Sequence, residues 1–472
     1  MPQRTFLIRL LCCALFGATY LNIFGTSSPS FFSRYSKSPS LETIEEAFCP
    51  QSNLANDILV VLRTGATESH QKLPVHFKTT LRCVPHFLVL SDLDEEVEGH
   101  KIHDVLGGVS EPTRKEHPDF KLYHQLQSQG RAGLENQNVL TAQSGSSKGD
   151  YLNTENDGWK LDKWKFLPAI DKAFRYRPQA KWYVFIETDT YLVWNNVVEY
   201  LSNFDAGKDY YMGKHLYINN VEFAYGGAGF ILSNPAMRKV LEHRSVHIKE
   251  YEDFTATHWV GDCALGKVLE DVKVPLFKAF PHLQGDSPAT LNPNTTKLGR
   301  NLWCYPVVTY HHVSPKEIEE LWAFEQEWFK RHPVLLRHRD IFLALIAPKL
   351  SPSKPAWDNM VSGASKSYNA KDHSHLYNLQ ERSSWRSFEH CRALCESKHD
   401  CIQFAFDEAG RKCELSESLR LGYERKGGRV RAGWVMERVE DLFGGLEGEC
   451  GVRDWFVPER EREKEKEKSQ GN

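Results

Sequence analysis

The sequence predicts an α/β fold, a mostly parallel sheet flanked by helices, followed by a small disulfide-rich α+β unit. Two observations lead to this prediction. Short apolar runs alternate with helical patterns along the first part of the chain, which is the rhythm of parallel β-α-β units. Four cysteines then lie within residues 391–413, beyond a break rich in proline and serine at 347–359. So small a core needs covalent support, which disulfide bonds supply.

Each strand-like run is short, apolar and closed by polar or turn-forming residues. The first two are DILVVLRTG at 57–65 and HFLVLSD at 86–92. A helical pattern at 160–176 repeats apolar residues every three to four positions and leads directly into the strand KWYVFI at 181–186. An amphipathic helix follows at 195–204. Because ligands of open α/β sheets bind beyond the carboxyl ends of the strands, the residues that close these runs are site candidates.

Two carboxylates follow the strand at 181–186. They are Glu187 and Asp189 of E-T-D, separated by one residue. Hard oxygen ligands of this kind suit Mg²⁺ or Mn²⁺, and an imidazole can complete the ligand set of Mn²⁺. Taken alone, the same pattern also fits a solvated or ion-paired corner at the end of a strand. The metal interpretation therefore depends on what else reaches the same place.

Two further motifs supply backbone and carboxylate groups. The turn Y-G-G-A-G contains Gly226 and Gly227 and precedes an apolar run. Glycine lets the backbone approach a ligand closely, although a tight turn alone also explains it. Asp262 lies in G-D-C-A-L-G at the predicted start of a helix, where it is either a catalytic carboxylate or a helix cap.

Adjacent histidines lie on a short predicted strand, V-V-T-Y-H-H-V, as His311 and His312. Neighbouring residues of a strand point to opposite faces of the sheet. Only one of the two is therefore expected to reach a given site, and a lone histidine is more often structural than a ligand.

In this order, the motifs resemble the inverting family-31 glycosyltransferases, the group that contains Fringe and the core 1 β1,3-galactosyltransferases, and especially their fungal-type branch. The resemblance extends over about residues 48–345 and implies a GT-A-type nucleotide-diphospho-sugar transferase fold. It rests on an ordered set of five motifs: R-T-G at 63–65, E-T-D at 187–189, Y-G-G-A-G at 225–229, G-D-C-A-L-G at 261–266 and Y-H-H-V at 310–313.

The resemblance also implies site roles. Asp189 and His311 would bind Mn²⁺, or Mg²⁺ in its place, while His312 faces away. Glu187 stands where the family commonly has Asp, and would act at the metal or the donor. Asp262 matches the catalytic base, although the family's preceding acidic residue is here Gly261. The predicted donor-binding residues are Thr64, Gly65, Asp92, Glu187, Gly226 and Gly227.

The implied activity is that of an N-acetylgalactosaminide β-1,3-galactosyltransferase-like hexosyltransferase. It would move a hexose, with galactose in β1,3 linkage expected first, from a UDP-sugar to a glycan or glycoprotein acceptor. One alternative is a non-catalytic lumenal glycan- or protein-binding protein that keeps the fold, which Glu187 and Gly261 leave open as departures from the family pattern. A glycoside hydrolase carboxylate pair is another. His311 and the layout of the N-terminus argue against it.

The N-terminus predicts a single-pass type II membrane protein of the Golgi or ER with its catalytic part in the lumen. Arg4 and Arg9 precede an apolar stretch at 10–25, and the basic end is expected on the cytoplasmic side. The stretch is shorter than the ~20 residues of a typical membrane-spanning helix. A short span suits the thin membranes of the early secretory pathway. A cleaved signal peptide is the alternative. The formal net charge of -3 argues against a nucleic-acid partner.

The C-terminal cysteines have the spacing C-x3-C-x5-C-x11-C and resemble a PAN/Apple domain over residues 373–450. The resemblance implies the bonds Cys391–Cys413 and Cys395–Cys401 and a unit that binds glycan, protein or a second copy. Four cysteines allow three pairings, and a zinc site is the competing interpretation.

Outside this unit, an oxidising lumen favours further disulfide bonds. The bonds Cys49–Cys83 and Cys263–Cys304 are expected, which leaves Cys450 unpaired. Asn294 begins an N-T-T sequon for N-glycosylation. The predicted boundaries are a cytoplasmic tail at 1–9, a transmembrane anchor at 10–25, a stem at 26–47, the catalytic domain at 48–345, a linker at 346–372, the PAN/Apple-like domain at 373–450 and a charged disordered tail at 451–472.

Overall fold

The computed structural model describes residues 46–134, 157–332, 334–361, 366–369, 378–450 and 455–457. The predicted cytoplasmic tail and anchor, and all but the end of the predicted stem, lie outside these residues. Across the part of the chain that is described, no helix combines the length and the apolar character that crossing a membrane requires.

The strands, in chain order, are β1 (Ile58–Arg63), β2 (Phe87–Ser91), β3 (Glu95–Val97), β4 (His100–Asp104), β5 (Trp182–Glu187), β6 (Tyr191–Leu192), β7 (Tyr211–Gly213), β8 (His215–Ile218), β9 (Val221–Ala224), β10 (Phe230–Ser233), β11 (Leu276–Lys278), β12 (Thr296–Lys297), β13 (Arg300–Asn301), β14 (Thr309–Tyr310), β15 (Lys354–Pro355), β16 (Trp357–Asp358), β17 (Ser367–Asn369), β18 (Gln403–Asp407), β19 (Lys412–Ser416), β20 (Tyr423–Glu424) and β21 (Val430–Trp434).

The α-helices are α1 (Ser69–Lys78), α2 (Glu111–Glu116), α3 (Lys121–Gln129), α4 (Asp157–Tyr176), α5 (Trp194–Leu201), α6 (Asn234–Val246), α7 (Ile248–Thr257), α8 (Gly261–Asp271), α9 (Pro315–Arg331), α10 (His338–Ile341), α11 (Phe388–Ser397) and α12 (Met436–Glu449). The predicted strands and helices of the first part of the chain all form, with ends that differ by a few residues.

The central sheet is mostly parallel, as predicted. Its strand order, among the described residues, is β11-β7-β10-β5-β1-β2-β4-β3, and only β10 and β3 run against the rest. Alternate residues of β1 enter two different cores, Val60 on one face and Val61 on the other. Helices α4, α6 and α8 cover one face, and α1, α5 and α9 cover the other. A sheet buried on both faces explains why β1 reads as a continuous apolar run.

The register of this sheet brings the predicted site together. Arg63, the last residue of β1, lies opposite Glu187, the last residue of β5. The short pair β6–β14 then draws the chain after Tyr310 back to the loop after β5, where the amide of Val313 donates to the carbonyl of Asp189 at 3.0 Å. The E-T-D and Y-H-H-V motifs therefore meet at one edge of the sheet.

The C-terminal unit is a five-stranded antiparallel sheet, in the order β15-β21-β18-β19-β17, with α11 packed against it. The predicted bonds Cys391–Cys413 and Cys395–Cys401 are both present. The prediction of a linker at 346–372 was wrong for its described residues. There β15 pairs with β21, and β16 pairs with β20. Backbone pairing thus makes this segment part of the unit that it was expected only to connect.

The predicted disulfide bonds of the catalytic part are half correct. Cys49–Cys83 forms, but Cys304 bonds to Cys450, while Cys263 is free and buried. The expectations of a Cys263–Cys304 bond and an unpaired Cys450 were therefore wrong. Cys263 lies buried within α8. Cys304 follows Trp303, whose ring stacks on that of Phe443 in α12. Packing of α12 there brings Cys450 to Cys304.

The tail predicted to be disordered at 451–472 contains a packed segment. Trp455 and Val457 are 7% and 2% exposed, and the amide of Phe456 donates to Nε2 of His282 at 3.0 Å. The prediction was wrong for these residues because W-F-V is apolar enough to join the main core despite the charged sequence around it. The rest of the predicted tail lies outside the described residues.

Candidate active site

A carboxylate and two imidazoles meet where β5 and β14 end. Nε2 of His311 lies 3.1 Å from Oδ1 of Asp189, and Nδ1 of His312 lies 3.8 Å from its Oδ2. One potential ligand atom from each residue lies within 4.8 Å of the other two. We call these three residues the metal group. Its donor atoms are those that Mn²⁺ and related divalent ions accept.

The expectation that His312 faces away was wrong. Strand β14 ends at Tyr310, before the histidines, and His312 adopts a positive φ of 57°. The alternation of an extended strand therefore does not continue through the pair, and the two rings lie 3.7 Å apart between their centroids. A left-handed backbone at a residue other than glycine is uncommon, and such residues cluster at functional sites.

The electrostatics of the metal group suit a cation. Burial disfavours the charged form of Asp189, but His311, with smaller contributions from His312 and Lys72, outweighs burial and holds the pKa of Asp189 well below its ordinary value. Burial likewise lowers the pKa of His311, but Asp189 and Glu187 together outweigh burial and raise this pKa to about 9. A site that favours a positive charge this strongly can accept a divalent ion in exchange for the proton.

Gly227 packs against the ring of His311. A Cβ at this position would lie 2.7 Å from Nδ1 and closer still to other ring atoms. We expect Gly227→Ala to displace the imidazole and weaken Mn²⁺ binding by about 10–100-fold, the effect typical of changes that reorient a ligand. Isothermal titration with Mn²⁺ measures this. Gly444→Ala, in a helix with open space around the position, is the control, and wild-type affinity in Gly227→Ala would contradict the prediction.

Glu187 is held by Arg63. The two side chains form an ion pair, and the other carboxylate oxygen of Glu187 lies 3.7 Å from Nε2 of His311. Arg63 is 2% exposed and stacks over Phe166 at 3.5 Å. Burial disfavours ionised Glu187, but Arg63 and His311 together outweigh burial and lower the pKa of Glu187. Glu187 therefore lies beside the metal group as a charged neighbour whose position Arg63 sets.

Asp262 is the second residue of α8, and its carboxylate is buried. Its two oxygens accept hydrogen bonds from the amides of Gly226 and Cys263, both at 2.9 Å. Burial is the main reason why the pKa of Asp262 rises to about 7. A carboxylate with a pKa near neutral is matched to general-base work, because it takes up and gives back a proton at working pH.

Gly261, the departure from the family pattern, has a packing explanation. A Cβ there would lie 2.7 Å from Cα of Lys163 and closer to the ring of Phe166. Helix α4 therefore passes so near the start of α8 that no side chain fits before Asp262. The missing acidic residue follows from this close approach of two helices.

One cavity of about 830 Å³ connects these groups. Its lining contains five of the predicted site residues: Glu187, Asp189, Gly227, Asp262 and His311. Its lining also contains residues to which the sequence assigned no role, among them Glu68, Lys72, Trp159, Asp162, Tyr225, Trp259 and His312. Partial burial raises the pKa of Asp162. A single carboxylate within a helical pattern is ordinarily solvated, so the sequence carries no signal for it.

The remaining predicted donor-binding residues, Thr64, Gly65, Asp92 and Gly226, are not part of that lining. Asp92 accepts from the amide of Ala66 at 2.7 Å and pairs with Lys165 at 3.0 Å. Lys165 also donates to the carbonyl of Thr64 at 2.8 Å. This buried network fixes the loop that leads into α1. Contact of these residues with a donor stays a prediction.

Comparisons with known proteins agree with this geometry. Residues 162–296 match the sequence model of the Fringe-like family. The chain is also 25% identical over 186 residues to the glycoprotein-N-acetylgalactosamine 3-beta-galactosyltransferase 1 of Xenopus laevis, a match that covers 34% of this chain and 50% of the relative. The chain thus spans about half the length of this curated relative. The Fringe-like segment includes E-T-D, Y-G-G-A-G and Asp262.

Proposed function

We propose a function on the premise that this chain is a glycosyltransferase of family 31, which the Fringe-like segment and the galactosyltransferase relative support. It is an inverting hexosyltransferase that moves a sugar from a UDP-sugar to a glycan or glycoprotein acceptor. The observation that carries the proposal is that Asp262 and the metal group line one cavity. A base for the acceptor and a site for the leaving group are the two parts that single displacement needs.

The reaction divides between these parts. Asp189 and His311, with His312 as a third ligand, would hold a Mn²⁺ or Mg²⁺ ion. When bound, such an ion neutralises the negative charge of the diphosphate leaving group. The carboxylate of Asp262 takes the proton of the acceptor hydroxyl as that oxygen bonds to the anomeric carbon. The bond to the diphosphate breaks on the opposite face, its electron pair leaves with UDP, and the anomeric centre inverts.

The relative suggests the sugars. Its name assigns it a galactose donor and a glycoprotein N-acetylgalactosamine acceptor. We therefore propose UDP-galactose as the donor and a β1,3 linkage in the product. The protein would be a type II membrane protein whose catalytic part lies in the lumen of the Golgi or ER. Asn294, the predicted glycosylation site, is exposed, which an N-glycan requires. Assignment of the C-terminal unit as a PAN/Apple domain remains part of this proposal.

A UDP-release assay tests the function. Purified protein is incubated with Mn²⁺, p-nitrophenyl α-N-acetylgalactosaminide and each of a panel of UDP-sugars. We expect UDP release that requires Mn²⁺ and is fastest with UDP-galactose. Folded protein that turns over no donor with any acceptor in a glycoside panel would contradict the proposal and favour the non-catalytic binding protein.

The transfer rate should depend on the protonation of Asp262. The pKa of this carboxyl is raised to about 7, and only the carboxylate can take the acceptor proton. We therefore expect kcat/KM to rise with pH up to about 7 and then to level off. The measurement is kcat/KM between pH 5.5 and 8.5 at saturating Mn²⁺. A flat profile across pH 5.5 to 7.5, as an ordinary aspartate would give, contradicts the assignment.

A further inference from the structure

The C-terminal unit contributes to the same cavity as Asp262. Five of its residues, Trp357, Leu421, Gly422, Tyr423 and Glu424, lie in the cavity lining. We call them the C-terminal wall. They come from β16, β20 and the turn before β20, and they lie outside the Fringe-like segment at 162–296. The cavity is therefore incomplete without a unit that the family match does not include.

Hydrogen bonds fix this wall in place. Trp357 pairs with Glu424 across β16 and β20, and its indole Nε1 donates to the carbonyl of Leu421 at 2.6 Å. The amide of Gly422 donates to the carbonyl of Ala289 at 2.8 Å, which ties the wall to the catalytic part. Gly422 has a φ of 75°, and a Cβ there would collide with the Asp358 carbonyl. The backbone at Gly422 is therefore tightly packed and leaves no space for a side chain.

An aromatic pair lines the same cavity as Asp262. Trp159 and Trp259 stack with their ring centroids 6.4 Å apart and their planes 18° apart. Trp259 remains 51% exposed. Indole rings present a flat apolar face and a polar N–H, and the apolar C–H face of a sugar ring packs on such surfaces.

The C-terminal wall presents one carboxylate, that of Glu424, and the hydroxyls of a neutral sugar can donate hydrogen bonds to it. The ammonium of Lys354 lies 4.2 Å from the ring centre of Trp357, so the wall is not a purely negative surface. The volume of about 830 Å³ lies toward the upper end of the ~300–1,000 Å³ usual for small-molecule pockets. This leaves room for a second reactant beside a sugar nucleotide.

We propose that the C-terminal wall and the tryptophan pair form the acceptor subsite, and that its ligand is a carbohydrate. The inference rests on the proposed transferase function and adds that the C-terminal unit selects the acceptor. Removal of an aromatic ring from the subsite should weaken acceptor binding and leave the donor in place, because the metal group holds the donor end.

The test compares Tyr423→Ala and Trp259→Ala with wild type, using UDP-galactose and p-nitrophenyl α-N-acetylgalactosaminide. Each variant should raise the acceptor KM at least about tenfold, with the donor KM within about twofold. Tyr423→Phe, which keeps the ring, should restore most of the acceptor affinity. Tyr176→Ala is the matched control, because Tyr176 is 54% exposed and does not line the cavity. Unchanged acceptor KM values, or a rise in the donor KM instead, would overturn the inference.

A second measurement separates this inference from the proposed function. If wild-type protein transfers no sugar, saturation-transfer NMR is carried out with a panel of p-nitrophenyl glycosides. Binding by wild type that is lost in Tyr423→Ala and kept in Asp262→Asn would support the subsite although the transferase proposal had failed. Absence of binding to every glycoside, or binding that neither aromatic variant reduces, would overturn it.

Discussion

The Asp262→Asn variant is expected to lose about 10²–10⁴-fold in kcat, the range that general-base catalysis contributes. An amide cannot take the acceptor proton at any working pH. The expected affinity for UDP with Mn²⁺ is close to wild type, because the metal group and Arg63 are unchanged. The variant removes only one of the two hydrogen bonds that Asp262 accepts from Gly226 and Cys263, so the fold is expected to survive.

Two readouts make this test decisive. Transfer is measured by UDP release at saturating donor and acceptor, and UDP binding is measured by titration calorimetry in Mn²⁺. Asp162→Asn is the matched control, because Asp162 is a second carboxylate of the same cavity with a raised pKa. We expect it to lose less than about tenfold. An Asp162→Asn variant that loses more activity than Asp262→Asn would move the role of base to Asp162.

The sequence predicted the parts of this site that depend on local pattern. Strand β5 is recognisable as an apolar run because every residue before Glu187 is buried. Asp262 is recognisable as the start of a helix because it lies in a turn of small residues that leads into the helix. Parallel strands place their carboxyl ends at one edge of a sheet. Arg63 and Glu187 lie side by side for this reason, whereas the histidines reach E-T-D through the antiparallel β6–β14 pair, outside the central sheet. Their meeting was expected from the family resemblance and not from the order of the strands.

What the sequence could not predict depends on contacts between distant segments. Cys304 bonds to Cys450 across 146 residues, because Trp303 docks on α12, and no spacing rule encodes that docking. The position of His312 depends on a single left-handed residue after a two-residue strand. The C-terminal wall is a further case, since β16 lies in a segment whose proline and serine content is typical of a linker.

The Arg63→Met variant should lose about 2–3 kcal/mol of unfolding free energy, below the ~3–5 kcal/mol typical when a fully buried pair loses one partner. The expected loss is smaller because the side chain of Glu187 is 26% exposed, so water partly screens its charge, whereas that of Arg63 is 2% exposed. Methionine keeps much of the packing on Phe166 and removes the charge. Ionised Glu187 would then face Asp189 and buried surroundings with only His311, at 3.7 Å, as an ion-pair partner among the described residues. Guanidinium denaturation of the intact, disulfide-bonded protein measures the loss.

A double-mutant cycle with Glu187→Gln tests the cause. If loss of the counter-charge is what destabilises Arg63→Met, then Arg63→Met/Glu187→Gln should recover at least half of the lost free energy, because neither charge is left unpaired. Arg244→Met is the matched control, since Arg244 is buried and paired with Asp171 away from the cavity. It should destabilise comparably and leave Mn²⁺ affinity unchanged, whereas Arg63→Met should change that affinity as Glu187 moves relative to His311. Purely additive effects of the two substitutions would show that Arg63 stabilises the site through packing alone and not through the charge of Glu187.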